Sequence, residues 1–227
     1  MHTKKRVAAF AVPALAAAIA AGCQASEASP LDRTTEVASG DVALQATDGL
    51  RLMVTPDGNE VRYRIREQLV GFDLPNDAVG ATNEVSGGIA FDASGKLVPA
   101  SSKFVVNIGT LESDKDRRDN YVRGRILQAT EYPTVELAPT AITGLTLPLP
   151  SSGSRTFQLA GNLTVKGVTK PTTWDVNATF TGGRVNGTAA TTFTFADFGL
   201  QQPRVPVVLS VADSIKLEYT FSLVPKR

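Results

Sequence analysis

The stretch KGVTKP, residues 166–171, sets two lysines around a glycine and a threonine, between an apolar run at 163–165 and a strand-like run from Trp174. It is either the mouth of an active site or only a turn. A second candidate is the carboxylate pair Asp116 and Asp119. Other ingredients of catalysis are missing. His2 is the only histidine and lies in a segment expected to be removed, so no Ser-His-Asp or Cys-His arrangement can form in the mature chain. No His/Cys cluster offers metal ligands, and no Gly-rich loop opens a helix to cradle phosphate. Carboxylates three apart on an exposed helix are most often just solvated. The chain therefore reads as a non-enzyme that needs no cofactor and no metal.

The N-terminus carries a different chemistry. Lys4, Lys5 and Arg6 precede an uncharged, mostly aliphatic run at 7–21, followed by Gly22 and Cys23. That is the pattern of an export signal, and the run is shorter than the ~20 residues a membrane span needs. AIAAGC resembles a bacterial lipobox, in which the cysteine becomes the acylated first residue; Ala20 departs from the leucine usual there. Ordinary cleavage near Ala21 or Ala25 is the alternative. Cys23 is the only cysteine, so an intrachain disulfide is ruled out and acylation supplies a reason for keeping it. Acyl chains, at ~0.8 kcal/mol per buried CH₂, would hold the protein on a membrane, on the periplasmic or outer cell surface. Residues 23–43 are polar, small and aperiodic, a flexible tether between the signal at 1–22 and a domain at 44–227.

The formal charge of +1 falls to −2 without Lys4, Lys5 and Arg6. A near-neutral domain has no footprint for a phosphate backbone, so nucleic acid is not expected as a partner.

The elements that must position any site alternate with period two. VRYRIR sets Val61, Tyr63 and Ile65 against three arginines, FVVNI groups Phe104, Val106 and Ile108, and SIKLEYTFSL alternates from Ile215 to Leu223. Glycine-containing pairs such as Asp57-Gly58, Ser94-Gly95 and Gly182-Gly183 punctuate the runs. The pattern predicts about eight strands, near 50–55, 60–68, 83–92, 103–111, 134–142, 156–165, 172–195 as a hairpin, and 213–224. Without a βαβ rhythm these make a sandwich or a closed barrel. One helix is expected at 113–128, capped by Ser113 or Asp114, with Tyr121, Val122, Ile126 and Leu127 as its apolar stripe. Small inward residues, Gly87, Gly161, Ala178, Gly187 and Ala189, either leave room inside or fit against bulky neighbours. On periodicity alone a filled core is the more ordinary outcome.

Four segments in order, RRDNYV, EYPTVEL, FQLAGNLTVKGVTKPTTWDV and FTFADFGL, resemble the YceI-like family of bacterial polyisoprenoid-binding proteins. The resemblance covers about residues 50–224. Asn120 and Tyr121 stand where the family often has Glu and His, Lys166 replaces a frequent His, and residues 204–213 replace a Gly-rich loop. The resemblance implies an all-β fold, an eight-stranded antiparallel lipocalin-like β-barrel with one short helix. It also implies an apolar tunnel for a long isoprenoid lipid, of polyprenyl phosphate or quinone type, and, by analogy only, a homodimer.

The inward apolar set then becomes the candidate tunnel lining: Val61, Tyr63, Ile65, Phe91, Phe104, Val106, Ile108, Phe157, Leu159, Leu163, Trp174, Val176, Phe193 and Phe195. Plain core packing fits each of them as well. Each isoprene unit buries about four CH₂ equivalents, roughly 3 kcal/mol gross. Arg118, Lys170, Asp197 and Arg204 are the candidates for a polar head at a tunnel mouth, and a solvated turn charge or helix-end ion pair is the plainer role of each. A barrel packed shut, serving as a structural or protein-interaction module of the envelope, is the alternative function.

Overall fold

The alternating runs form eleven antiparallel strand segments in a computed structural model that describes residues 49–145 and 148–226. They are β1 (Leu50–Val54), β2 (Glu60–Leu69), β3 (Asn76–Thr82), β4 (Val85–Phe91), β5 (Lys103–Asn107), β6 (Glu112–Ser113), β7 (Thr134–Thr143), β8 (Ser152–Val165), β9 (Val168–Thr181), β10 (Arg184–Thr194) and β11 (Val208–Pro225). Pairing runs β1-β4-β5-β7-β8-β9-β10-β11 and returns to β1 through Leu52↔Pro225, Met53↔Val224 and Val54↔Leu223. The ring is closed. β2 carries β1 onward past a bend, β3 and β4 are two halves of the next course, and β6 extends β5. The fold is thus an eight-course up-and-down barrel in which consecutive courses are neighbours, as expected, and closure leaves no free sheet edge around the ring. The predicted signal, residues 1–22, and tether, residues 23–43, lie outside the described residues, as does Cys23.

A buried side chain makes the bend between β1 and β2 possible. Asn59 Nδ2 donates to the Thr55 carbonyl at 2.8 Å, and Asn59 Oδ1 accepts from the Ser222 N–H and the Tyr219 hydroxyl, both at 3.0 Å. The buried Thr55 carbonyl, which leaves the ladder here, therefore stays paired, while Pro56, Asp57 and Gly58 of the bend are exposed to water.

Lys166 and Gly167 resolve the opening motif. Both have positive φ, 49° and 75°, the geometry of a two-residue hairpin turn matched to strand twist. Only these two residues form the connection. Thr169, Lys170 and Pro171 already belong to β9, with Thr164↔Thr169 and Asn162↔Pro171 in register. Pro171 is tolerated because β10 reaches β9 only as far as Asp175, so this stretch is paired on one side.

The helix is shorter than its pattern suggests. α1 spans Asp116–Tyr121 and runs into a π-helical turn, Val122–Ile126, that contains Gly124. Its N-cap is Lys115, without a side-chain cap bond, whereas Ser113 Oγ instead donates to buried Asp119 Oδ1 at 2.5 Å. The wider turn still brings Val122, Ile126 and Leu127 against the core.

Strand directions define two rims. One, the helix rim, collects the connections 70–75, 114–133, 166–167 and 195–207. The other collects 92–102 and the Gly182–Gly183 turn, and β1 starts there.

Candidate functional site

Inward side chains of all eight courses merge into one apolar cluster, yet they do not fill the barrel completely. Two apolar cavities remain, each about 100 Å³. The far chamber lies among Leu52, Phe91, Phe104, Phe157, Trp174, Phe180, Tyr219 and Phe221. The chamber at the helix rim lies among Tyr63, Ile65, Ile108, Val165, Phe193, Phe195 and Ile215, and is capped by Val122, Ile126 and Leu127 from the helical segment and by Leu200. Val61, Val106, Val135 and Leu217 line both. Those four shared side chains mark the waist at which the two chambers adjoin.

Neither chamber is lined by a charged side chain. Three of the polar groups on the walls are turned to partners within the protein. Tyr219 donates to Asn59, Trp174 Nε1 donates to Thr172 Oγ1 at 3.0 Å, and Thr82 Oγ1 meets Thr110 Oγ1 at 2.8 Å. Burial holds both wall tyrosines in the neutral form: Tyr63 is pushed up to about 12, with Arg118 opposing the shift, and Tyr219 is raised by burial alone. Phe104 and Tyr219 meet edge to face across the interior, centroids 6.1 Å apart. Gly187 lies under Phe221, whose Cζ would be 2.7 Å from an added Cβ. A small inward residue here accepts a ring from the neighbouring strand rather than leaving space.

All fourteen lining candidates sit on the chamber walls. Phe91, Phe104, Phe157, Leu159, Leu163, Trp174 and Val176 face the far chamber; Tyr63, Ile65, Ile108, Phe193 and Phe195 face the other, and Val61 and Val106 belong to the waist. Sequence reasoning omitted Leu217, Tyr219, Phe221 and Leu223 from the lining although their alternation was plain, and omitted Val135 and Leu137, which lie in a stretch, 134–138, that is half-buried on both faces.

The four head-group candidates share the helix rim but do not converge. Arg118 is mostly buried, its Nη2 2.8 Å from Glu67 Oε1 and its Nη1 on Asp114, and these carboxylates keep its pKa raised against the opposing effect of burial. Its charge is already compensated. Asp197 accepts from the Thr194 N–H (2.7 Å) and Thr194 Oγ1 (2.8 Å), which lower its pKa, with Lys170 adding a weaker attraction. Lys170 is exposed on the inward-phase side of β9 beyond Trp174, and Arg204 is exposed on the connection into β11. Among the described residues no three His, Cys, Asp or Glu side chains gather as a metal site.

Comparison with known proteins agrees with this architecture. A UPF0312 protein of Shewanella putrefaciens is 29% identical over 172 residues, covering 73% of this chain and 84% of that protein. A UPF0312 protein of Shewanella oneidensis is 30% identical over 130 residues, 54% of this chain, and the chain spans 64% of its length. Among solved structures, a polyisoprenoid binding domain from Saccharophagus degradans matches with TM-score 0.57 at 11% identity, covering 78% of this chain and 99% of that one. Burkholderia cenocepacia BcnA matches with TM-score 0.54 at 17% identity, covering 74% and 98%. The YceI-like domain model matches residues 53–223, from the first course of the barrel to the last, and the chain belongs to the YceI-like family.

Proposed function

We propose that the protein is an exported, lipid-anchored binding protein that holds an isoprenoid lipid, of polyprenyl phosphate or quinone type, along the axis of its barrel. The observation that carries this reading is the pair of apolar chambers that adjoin at a waist and are walled without a charge. A linear hydrocarbon tail fits such a space, and a charged or hydrogen-bonding group does not, so the polar head of such a lipid stays outside the chambers. The description of the Saccharophagus degradans neighbour as polyisoprenoid binding supports the same class of ligand. Binding rather than catalysis is the role that suits walls that carry no charge and only a few polar groups.

Chamber size adds a condition. An apolar cavity of about 150 Å³ holds one benzene ring, so a chamber of about 100 Å³ has room for about one isoprene unit as it stands. A longer chain enters by moving side chains apart at the waist. This small free volume is also what favours the second reading, a barrel packed shut that serves as a structural or interaction module of the envelope.

Organic extraction of protein purified from membranes, followed by mass spectrometry, separates the two. Near one prenyl lipid per chain supports the carrier; an empty extract together with no uptake of added prenyl alcohol leaves the packed module. The anchor is tested by labelled palmitate, which should enter the wild type and not Cys23→Ser.

A further inference from the structure

Among the described residues, the large apolar side chains that stand exposed are all at one end of the barrel. Val70, Phe72 and Leu74 on the β2–β3 tip and Val207 and Leu209 at the start of β11 are between 52% and 77% exposed, and Val168 beside the 166–167 turn is 37% exposed. All six belong to the helix rim. The first five form one patch: the Val70 N–H donates to the Val207 carbonyl at 3.0 Å, and Val208 pairs with Leu69. Its shape is fixed by the backbone. The Phe72 N–H returns to the Leu69 carbonyl, Gln68 Nε2 bonds the Phe72 carbonyl, and a register shift between Val208 and Ser210 bulges Leu209 outward. A contiguous apolar patch of this kind on a water-facing rim marks a binding surface.

We infer that this rim docks on a lipid membrane surface, so that the helix-rim chamber opens toward the bilayer; the direction of lipid exchange rests on the proposed ligand, the docking itself does not. Two observations select a membrane. The segments that carry the patch and its surroundings also wall and cap the chamber, through Ile65, Phe195, Leu200 and Ile126, so a rim seated on a bilayer brings the chamber cap next to it. Arg204, exposed three residues before Val207, stands beside the patch, and Lys166 and Lys170 lie on the same rim, Lys170 partly offset by Asp197; these cations suit an anionic headgroup layer around an inserted apolar tip. Asp73, between Phe72 and Leu74, keeps the insertion shallow.

The test uses a chain beginning at Gln24, which keeps every described strand and carries no acyl group, in flotation with phosphatidylethanolamine/phosphatidylglycerol vesicles. The parent should float with the vesicles, and Phe72→Asp/Leu74→Asp/Leu209→Asp should lose at least tenfold in bound fraction. Binding of a prenyl alcohol delivered from detergent micelles, read by Trp174 fluorescence, should be the same for both. Equal flotation of the variant, no flotation of the parent, or a parent dimer in sedimentation that the variant lacks would each overturn the inference. Prenyl binding lost in a parent that still floats would count against the proposed ligand and not against docking.

Discussion

Tyr219 and Asn59, 160 residues apart, share a buried hydrogen bond of 3.0 Å that ties the last strand to the bend in the first. Asn59 Oδ1 also accepts the Ser222 N–H, and its amide nitrogen serves the Thr55 carbonyl. Truncation would strand all of these at once. Asn59→Ala is expected to cost about 2–4 kcal/mol, because buried donors and acceptors are left without partners. Tyr219→Phe, which removes one donor and keeps the ring, should cost about 1 kcal/mol. Urea denaturation of the two variants measures both.

The waist yields a prediction about chain length. Val106→Phe adds volume where the chambers meet, at a stability cost of about 1–3 kcal/mol from overpacking. Affinity for a long polyprenyl chain should fall at least tenfold while a single-unit prenyl alcohol still binds. Trp174, the only tryptophan and a wall residue of the far chamber, reports both titrations. Equal losses for short and long ligands would show that the waist does not divide the site.

The hairpin at Lys166–Gly167 should accept improvement. A left-handed φ of 49° is strained for lysine and favourable for asparagine, so Lys166→Asn is expected to stabilise by about 0.5–1 kcal/mol. Gly167→Ala acts in the other direction. Its φ of 75° disfavours a side chain, and the added Cβ would lie 3.1 Å from Tyr132 Cε1, so a loss of about 1–2 kcal/mol is expected in thermal melts.

Alkaline pH should unfold the barrel partly through Tyr63. Its hydroxyl is held neutral up to about 12 in the folded state, whereas an unfolded tyrosine ionises near 10. Above pH ~10 the unfolded chain releases a proton that the folded chain keeps, so stability falls with rising pH, by up to about 2–3 kcal/mol by pH ~12. Tyr63→Phe should flatten that part of the profile. A profile unchanged between wild type and variant from pH ~10 to ~12 would show that Tyr63 ionises freely in the fold.

Much of this architecture was legible in the sequence because one-sided burial writes itself as alternation. Ile215 to Leu223 and Trp174 to Phe180 could be assigned to a face without any structure. β3 escaped because its inward residues are Ala78, Gly80 and Thr82, small or polar, with Tyr63 from the neighbouring strand lying over Gly80. Burial there is supplied by the partner and leaves no mark on the strand itself. The start of β11 escaped for another reason: register shifts near Val208–Ser210 and Val211–Ile215 break the period of two, so residues 204–213 read as a loop. Within the candidate site, wall positions were readable from phase, but the waist was not. It depends on which residues of β2, β5, β7 and β11 stand at one level, and phase along a single strand carries no information about level. Charges misled in a similar way, since nothing local to Arg118 announces that Glu67, 51 residues earlier, neutralises it.

The waist also bears on time. A lipid spanning both chambers is gripped by Val61, Val106, Val135 and Leu217, four side chains on four different courses of a closed ring. Withdrawing it would require those side chains to move apart together, as entry does, within a ring that has no free edge to yield. If the proposed lipid is bound, its residence would then depend on how often the four waist side chains part as well as on contact area, so exchange would be slow on dilution.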